Sequence, residues 1–317
     1  MEHKITEDEA ALYDRQIRLW GLEAQHRMRN ASILVAGMQA LSNEVCKNIV
    51  LAGVGSITIL EHETVTEEDL GAQFFLRQGD IGRNRGEAAA EMARLLNPRV
   101  NVIVDKEDIA QKPSSYFSQF NVIRIDNACR ETKTGFYAAG VHGFFGYMFC
   151  DLTHHEYREE QKETPLDKSK EPETTTSHLS QDYDSLVSTL ETSWGYPKPK
   201  ALKRKVSPLF FAIQILWLFQ LGNGGRLPHA SSHDDLEALF KLRDERLKSA
   251  QVDGGFVDND LLHTVSAEIA PVCAIVGGFL AQDILKTLSG KDAPLLNYFL
   301  YNGIEGTGLV HHVQKST

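Results

Sequence analysis

The chain has 317 residues, 42% of them hydrophobic, enough for one large core or two modest ones. Its 33 lysines and arginines against 43 aspartates and glutamates leave a net charge of −10, which opposes a bare nucleic-acid binder because phosphate contacts need clustered cations. The longest apolar runs, 209–219 and 270–281, fall short of the roughly 20 residues a membrane span takes, so no membrane partner is expected.

The charged opening residues lack the apolar stretch of a secretory signal, which points to a reducing compartment without disulfides. Cys46, Cys129, Cys150 and Cys273 are far apart and show no zinc-ligand spacing. Each sits in an apolar or periodic stretch and reads as a small buried hydrophobe, and no metal site is expected.

Residues 5–29 carry a helical stripe that includes Tyr13, Ile17 and Trp20. The period then changes: Ser32-Ile-Leu-Val-Ala-Gly37 reads as a buried strand, a helical pattern follows through Glu44, Val45, Ile49 and Leu51, and Gly55-Ser-Ile-Thr-Ile-Leu60 is a second strand. Glu61 and Glu63 fall where a βαβ unit places a ribose-binding acid; the same position suits a solvated turn residue. A helix over 85–96 stops at Asn97-Pro98 and precedes a strand at 100–104. A further strand is predicted at 120–123 and a helix from 127 to 133, with Asp126 as its N-cap. The aromatic, glycine-rich 135–149 suggests paired strands.

Residues 153–205 are polar, and 154–193 are expected to form a mobile insertion with little structure of its own. The insertion ends in Lys198-Pro-Lys-Ala-Leu-Lys-Arg-Lys205, which reads either as a nuclear-import signal or as a solvated linker end. Beyond it come a buried helix at 209–219, an amphipathic one at 234–247, a long one from Pro271 to Gly290, and a closing strand at 297–301 followed by a turn. Gly277-Gly278 inside the long helix costs propensity and implies a close backbone neighbour. The predicted fold is α/β: a doubly wound, mainly parallel sheet with an N-terminal helix. It divides into a first part (1–152), the polar insertion (153–205) and a second part (206–317).

A phosphate-cradling loop belongs between the first strand and helix, where three glycines allow a tight turn and close backbone approach. Here it reads Gly37-Met-Gln39-Ala-Leu-Ser42, so Gln39 and Ser42 place side chains where the second and third glycines stand, and cofactor binding by this loop is not expected. The same substitutions oppose a nicotinamide-dependent oxidoreductase on this type of sheet, since fold alone does not set function.

Four motifs remain: Tyr13-Asp-Arg-Gln-Ile-Arg-Leu-Trp-Gly21, Gly71-Ala-Gln-Phe-Phe-Leu76, Asp80-Ile-Gly-Arg-Asn-Arg85 and Ala270-Pro-Val-Cys-Ala-Ile-Val-Gly-Gly-Phe-Leu-Ala-Gln282. In this order they resemble the ubiquitin-activating enzyme superfamily, of ThiF/MoeB-like adenylating fold, on the side of the small, regulatory subunits of SUMO-activating enzymes, which lack the thioester cysteine. The resemblance implies a heterodimer whose large catalytic subunit binds ATP and Mg and carries that cysteine. SUMO is then the substrate of the complex, and the site is the nucleus, with the cytoplasm also open. It further implies that this chain is a pseudo-adenylation domain, inactive alone: Gly71-Ala72 and Arg83-Asn-Arg85 replace the Asn-Arg pair and the lysine of active halves. Arg15 matches the arginine that reaches the partner's ATP, and Arg18, one turn on, can assist it. Read from charge alone, Arg15 pairs instead with Asp14 or Glu23. Asp126-Asn-Ala-Cys-Arg130 is one residue short of the magnesium-serving motif of active halves. Relatives have a longer connection after Ile123, so either the strand end is reshaped or a piece is absent. Two alternatives stay open: the regulatory subunit of a neddylation-type activating enzyme, which is a longer chain, and a non-catalytic Rossmann-fold scaffold.

Overall fold

In the computed structural model the described residues are 5–113, 116, 122–123, 126–163, 173–224, 226–229, 231–263 and 268–314. One eight-stranded sheet organises them. It contains β1 (Ser32–Ala36), β2 (Ser56–Leu60), β3 (Asn101–Asp105), β4 (Val122–Ile123), β5 (Gly135–His142), β6 (Phe145–Asp151), β9 (Tyr298–Asn302) and β10 (Thr307–His311), in the order β10-β9-β6-β5-β4-β1-β2-β3. Strands β3-β2-β1-β4-β5 pair in parallel, whereas β5-β6, β6-β9 and β9-β10 are antiparallel. The terminal stretch predicted to be only a turn after 301 thus supplies β10 as well.

At β1 both faces of the sheet are buried, because successive side chains point opposite ways and Ile33, Leu34, Val35 and Ala36 are all apolar. Ile33 and Val35 face one core with Met38 of the turn after β1, Val45 and Ile49 of α4 (Ala40–Leu51), and Val276 and Leu280 of the long helix Ala270–Ser289. Leu34 and Ala36 face a second core with Phe149, Phe210, Phe211 and Leu239. That second face is covered by Pro208–Gly222 and His233–Ser249, the buried and amphipathic helices expected from the periodicity. All four cysteines are free and buried. The helix Ala270–Ser289 is long and apolar enough to cross a membrane, but Val272, Cys273, Val276, Leu280 and Ile284 lie in the first core. Its Gly277 meets α4: an added Cβ would lie 2.7 Å from Cβ of Glu44, while at Gly278 it would meet nothing within 4 Å.

Three expectations need correction. The single N-terminal helix is three, α1 (Glu7–Leu12), α2 (Asp14–Trp20) and α3 (Leu22–Asn30), divided at Tyr13 and at Gly21, whose φ of 89° lies in the region open to glycine. The polar insertion is not structureless. His154–Glu163 (β7) and Glu173–Asp182 (β8) form an antiparallel ribbon whose backbone pairing does not depend on an apolar face, and Leu186–Leu190 is helical. Asp126 is the first residue of the helix Asp126–Thr132 rather than a cap before it, and its carboxylate accepts the backbone N–H of Leu186 at 2.7 Å. Part of the strand predicted at 120–123, and the short connection at 124–125, lie outside the described residues.

Candidate functional site

In open parallel sheets ligands bind beyond the carboxyl ends of the strands where the strand order reverses, here between β1 and β4. Gly37 follows β1 with φ of 81°, so it makes the tight turn that the first glycine of such a loop makes. Gln39 is the residue before α4 and its side chain gives no cap hydrogen bond. It is exposed and borders an open cleft of about 480 Å³. Ser42 points elsewhere, into the seam between β1, β5 and the helix Ala270–Ser289, with Leu41, Val45 and Leu280.

The amides that would hold phosphate are already engaged. At the start of α4 the backbone N–H of Ala40 donates to Glu268 Oε2 at 2.7 Å, and that of Leu41 donates to Oε1 at 3.2 Å. A carboxylate at a helix N-terminus satisfies free N–H groups and meets the positive end of the dipole, as a phosphate would. Glu268 lies 228 positions from Ala40 and has no motif around it that announces this role.

Glu61 is 3% exposed and is not a solvated turn residue. Its carboxylate accepts the backbone N–H groups of Met38 at 2.7 Å and Glu63 at 3.0 Å, and Arg85 Nε at 3.0 Å. Arg85 also pairs with Glu63 and with Asp69 at 3.2 Å. These carboxylates hold the guanidinium above its ordinary pKa although burial opposes its charge. Asp69 in turn accepts Gln73 Nε2 at 2.6 Å and the backbone N–H of Thr66 at 2.8 Å. Two of the sequence motifs, 71–76 and 80–85, thus meet through Asp69. The cleft wall presents Glu61, Glu63 and Glu107 against Arg85. With the helix terminus closed by Glu268 as well, these residues do not fit a nucleoside triphosphate.

Arg15 differs from the residues of this cleft: it is on α2, exposed, and among the described residues it makes no ion pair. The two carboxylates that could have neutralised it are taken. Asp14 pairs with Arg18 at 3.0 Å, and Glu23 pairs with Arg158 at 2.9 Å and with Arg27 at 3.6 Å. Arg18 is therefore tied to its own helix, although its side chain stays 78% exposed. The segment is anchored by Tyr13, which is buried and whose hydroxyl accepts Asn97 Nδ2 at 2.8 Å. Around Arg15, Leu12, Leu19 and Leu22 each leave more than half of their surface exposed.

In the basic run, Pro199–Leu202 is one helical turn with Leu202 and Val206 buried and Lys200, Lys203, Arg204 and Lys205 outward. Asp126 sits beside Asp151, which pairs with Arg130.

Comparison with known proteins agrees with this architecture. The ThiF family model matches residues 13–317. The chain is 39% identical over 333 residues to SUMO-activating enzyme subunit 1 of Bos taurus, covering 96% of this chain and 95% of that protein. It is 39% identical over 330 residues to the Homo sapiens protein of that name, with the same coverage, and 40% identical over 334 residues to that of Xenopus laevis, covering 98% and 97%. Five parallel strands with the turn glycine after β1 in place, and a family match over nearly every residue, make this chain a member of the ThiF family.

Proposed function

We propose that the chain is the small, non-catalytic subunit of a SUMO-activating enzyme, in a heterodimer with a large subunit that binds ATP and Mg and carries the thioester cysteine. It supports adenylation of the SUMO C-terminus and donates Arg15 in trans to the partner's ATP. The observation that carries this reading is the contrast between the two sites: the chain's own helix terminus is closed by Glu268, while Arg15 stands exposed without a counter-charge. Similarity to SUMO-activating subunits along almost the full length of both chains supports it over the longer neddylation-type subunit. The exposed Leu12, Leu19 and Leu22 suit a subunit interface, since apolar patches of this kind mark protein contacts.

The chemistry explains the arginine. Attack of a carboxylate oxygen on the α-phosphate forms the acyl-phosphate bond, breaks the bond to the β-phosphate oxygen and expels pyrophosphate. A fixed guanidinium stabilises the charge on that leaving group. Nuclear residence is part of this reading, and the outward cations at 198–205, around the helical turn Pro199–Leu202, support it.

SUMO-dependent ATP–pyrophosphate exchange tests the reading, with wild type and Arg15→Ala complexes matched for assembly. A loss on the order of 10³ is expected for a trans arginine. Unchanged exchange would leave a scaffold. Arg18→Ala is expected to have a much smaller effect, because Asp14 already holds that side chain.

A further inference from the structure

The helix α3, the turn after the helix Asp126–Thr132, the start of β7 and the helix Ala270–Ser289 line an open pocket of about 500 Å³ that shares no residue with the cleft at Gly37. That is within the usual range for small-molecule sites, roughly 300–1,000 Å³. Its wall carries His26, Arg27, Lys133, His154 and His155 and no carboxylate. In a chain of net charge −10, five basic side chains from three separate segments have converged on one concavity.

Two of these side chains have polar atoms shut off from solvent and without a hydrogen-bond partner among the described residues, Arg27 Nε and His155 Nε2. The Arg27 Nε–H is a buried donor left unpaired, which is costly, and the positive charges of Arg27 and Lys133 on one wall add to that cost. The nearby carboxylates do not remove it. Glu23 lies 3.6 Å from Arg27 but is held by both terminal nitrogens of Arg158, and Asp182 engages only Nδ1 of His154, at 2.6 Å. The side-chain amide of Asn30 approaches Nδ1 of His26 at 3.4 Å, and in the tautomer that accepts this contact Nε2 carries the proton and is a further donor.

We propose that this pocket binds a compact, multiply charged phosphate, either a phosphate anhydride or a phosphorylated polyol. Such an anion supplies acceptors to several donors at once and neutralises Arg27 and Lys133 together. The site is separate from Arg15 and from the cleft at Gly37, and the proposal does not depend on the role assigned to either.

Isothermal titration of the full chain with inorganic pyrophosphate and, separately, with inositol hexakisphosphate tests it. At least one probe is expected to bind with one-to-one stoichiometry, and which one does so identifies the source. In Lys133→Asn/His155→Gln the affinity is expected to fall by about tenfold or more, the size of a lost charge-assisted hydrogen bond. Asparagine is chosen because Lys133 has φ of 54°. A thermal melt of the double variant checks that it folds, and Arg15→Ala is expected to bind like wild type. Absence of binding by both probes, or equal binding by the folded double variant, would overturn the proposal.

Discussion

The Glu268 carboxylate caps α4 by accepting the backbone N–H of Ala40 at 2.7 Å, and so occupies the position a phosphate takes at the start of such a helix. Removing it exposes two donors and the positive end of the dipole. Glu268→Ala is expected to cost about 1–2 kcal/mol, read from urea unfolding, with Glu268→Gln losing less because it still accepts a hydrogen bond. Neither variant is expected to bind ATP by calorimetry, since Glu61, Glu63 and Glu107 remain on the wall.

Arg85 is a structural keystone rather than a phosphate ligand. Its side chain is 7% exposed and meets Glu61, Glu63 and Asp69. Arg85→Ala leaves Glu61 buried without its cation, a loss of about 3–5 kcal/mol in chemical denaturation. Arg85→Lys keeps the charge but not the fork that reaches three carboxylates, and an intermediate loss is expected.

The two adjacent glycines of the long helix should respond with opposite signs. Gly277→Ala drives a Cβ to 2.7 Å from Glu44, which is overpacking and costs about 1–3 kcal/mol. Gly278→Ala meets open space and gains about 0.5–1 kcal/mol from helix propensity. Thermal melts of the two single variants separate them; equal shifts would contradict the close approach of α4.

Burial, reinforced by the neighbouring Asp151, pushes the Asp126 carboxyl up to about 7. A carboxyl with a raised folded pKa holds its proton more tightly when folded than when unfolded. Its contribution therefore lowers stability as pH climbs from about 4 to about 7, and the loss is complete above that. Asp126→Asn removes this slope, so the variant should gain on wild type at pH 8 relative to pH 5 in parallel melts. The same gap at both pH values would show that Asp126 does not titrate in this window.

Most elements were legible because their signals are local. Ile33, Leu34, Val35 and Ala36 alternate between two buried faces, which requires helices on both sides of the sheet, and Gly37 and Gly290 punctuate the chain by residue type alone. The loss of the second and third loop glycines was likewise visible at Gln39 and Ser42. The ribbon β7-β8 was not, because polar strands held by backbone pairing carry no hydrophobic period. Nor was it legible that Arg15 makes no ion pair among the described residues, since Asp14 is taken by Arg18 and Glu23 by Arg158, the latter 135 positions from Glu23. Above all, composition and spacing mark a weakened nucleotide loop, but the group that closes it is Glu268, and a contact between residues 228 apart exists only once the core has brought the two helix starts together.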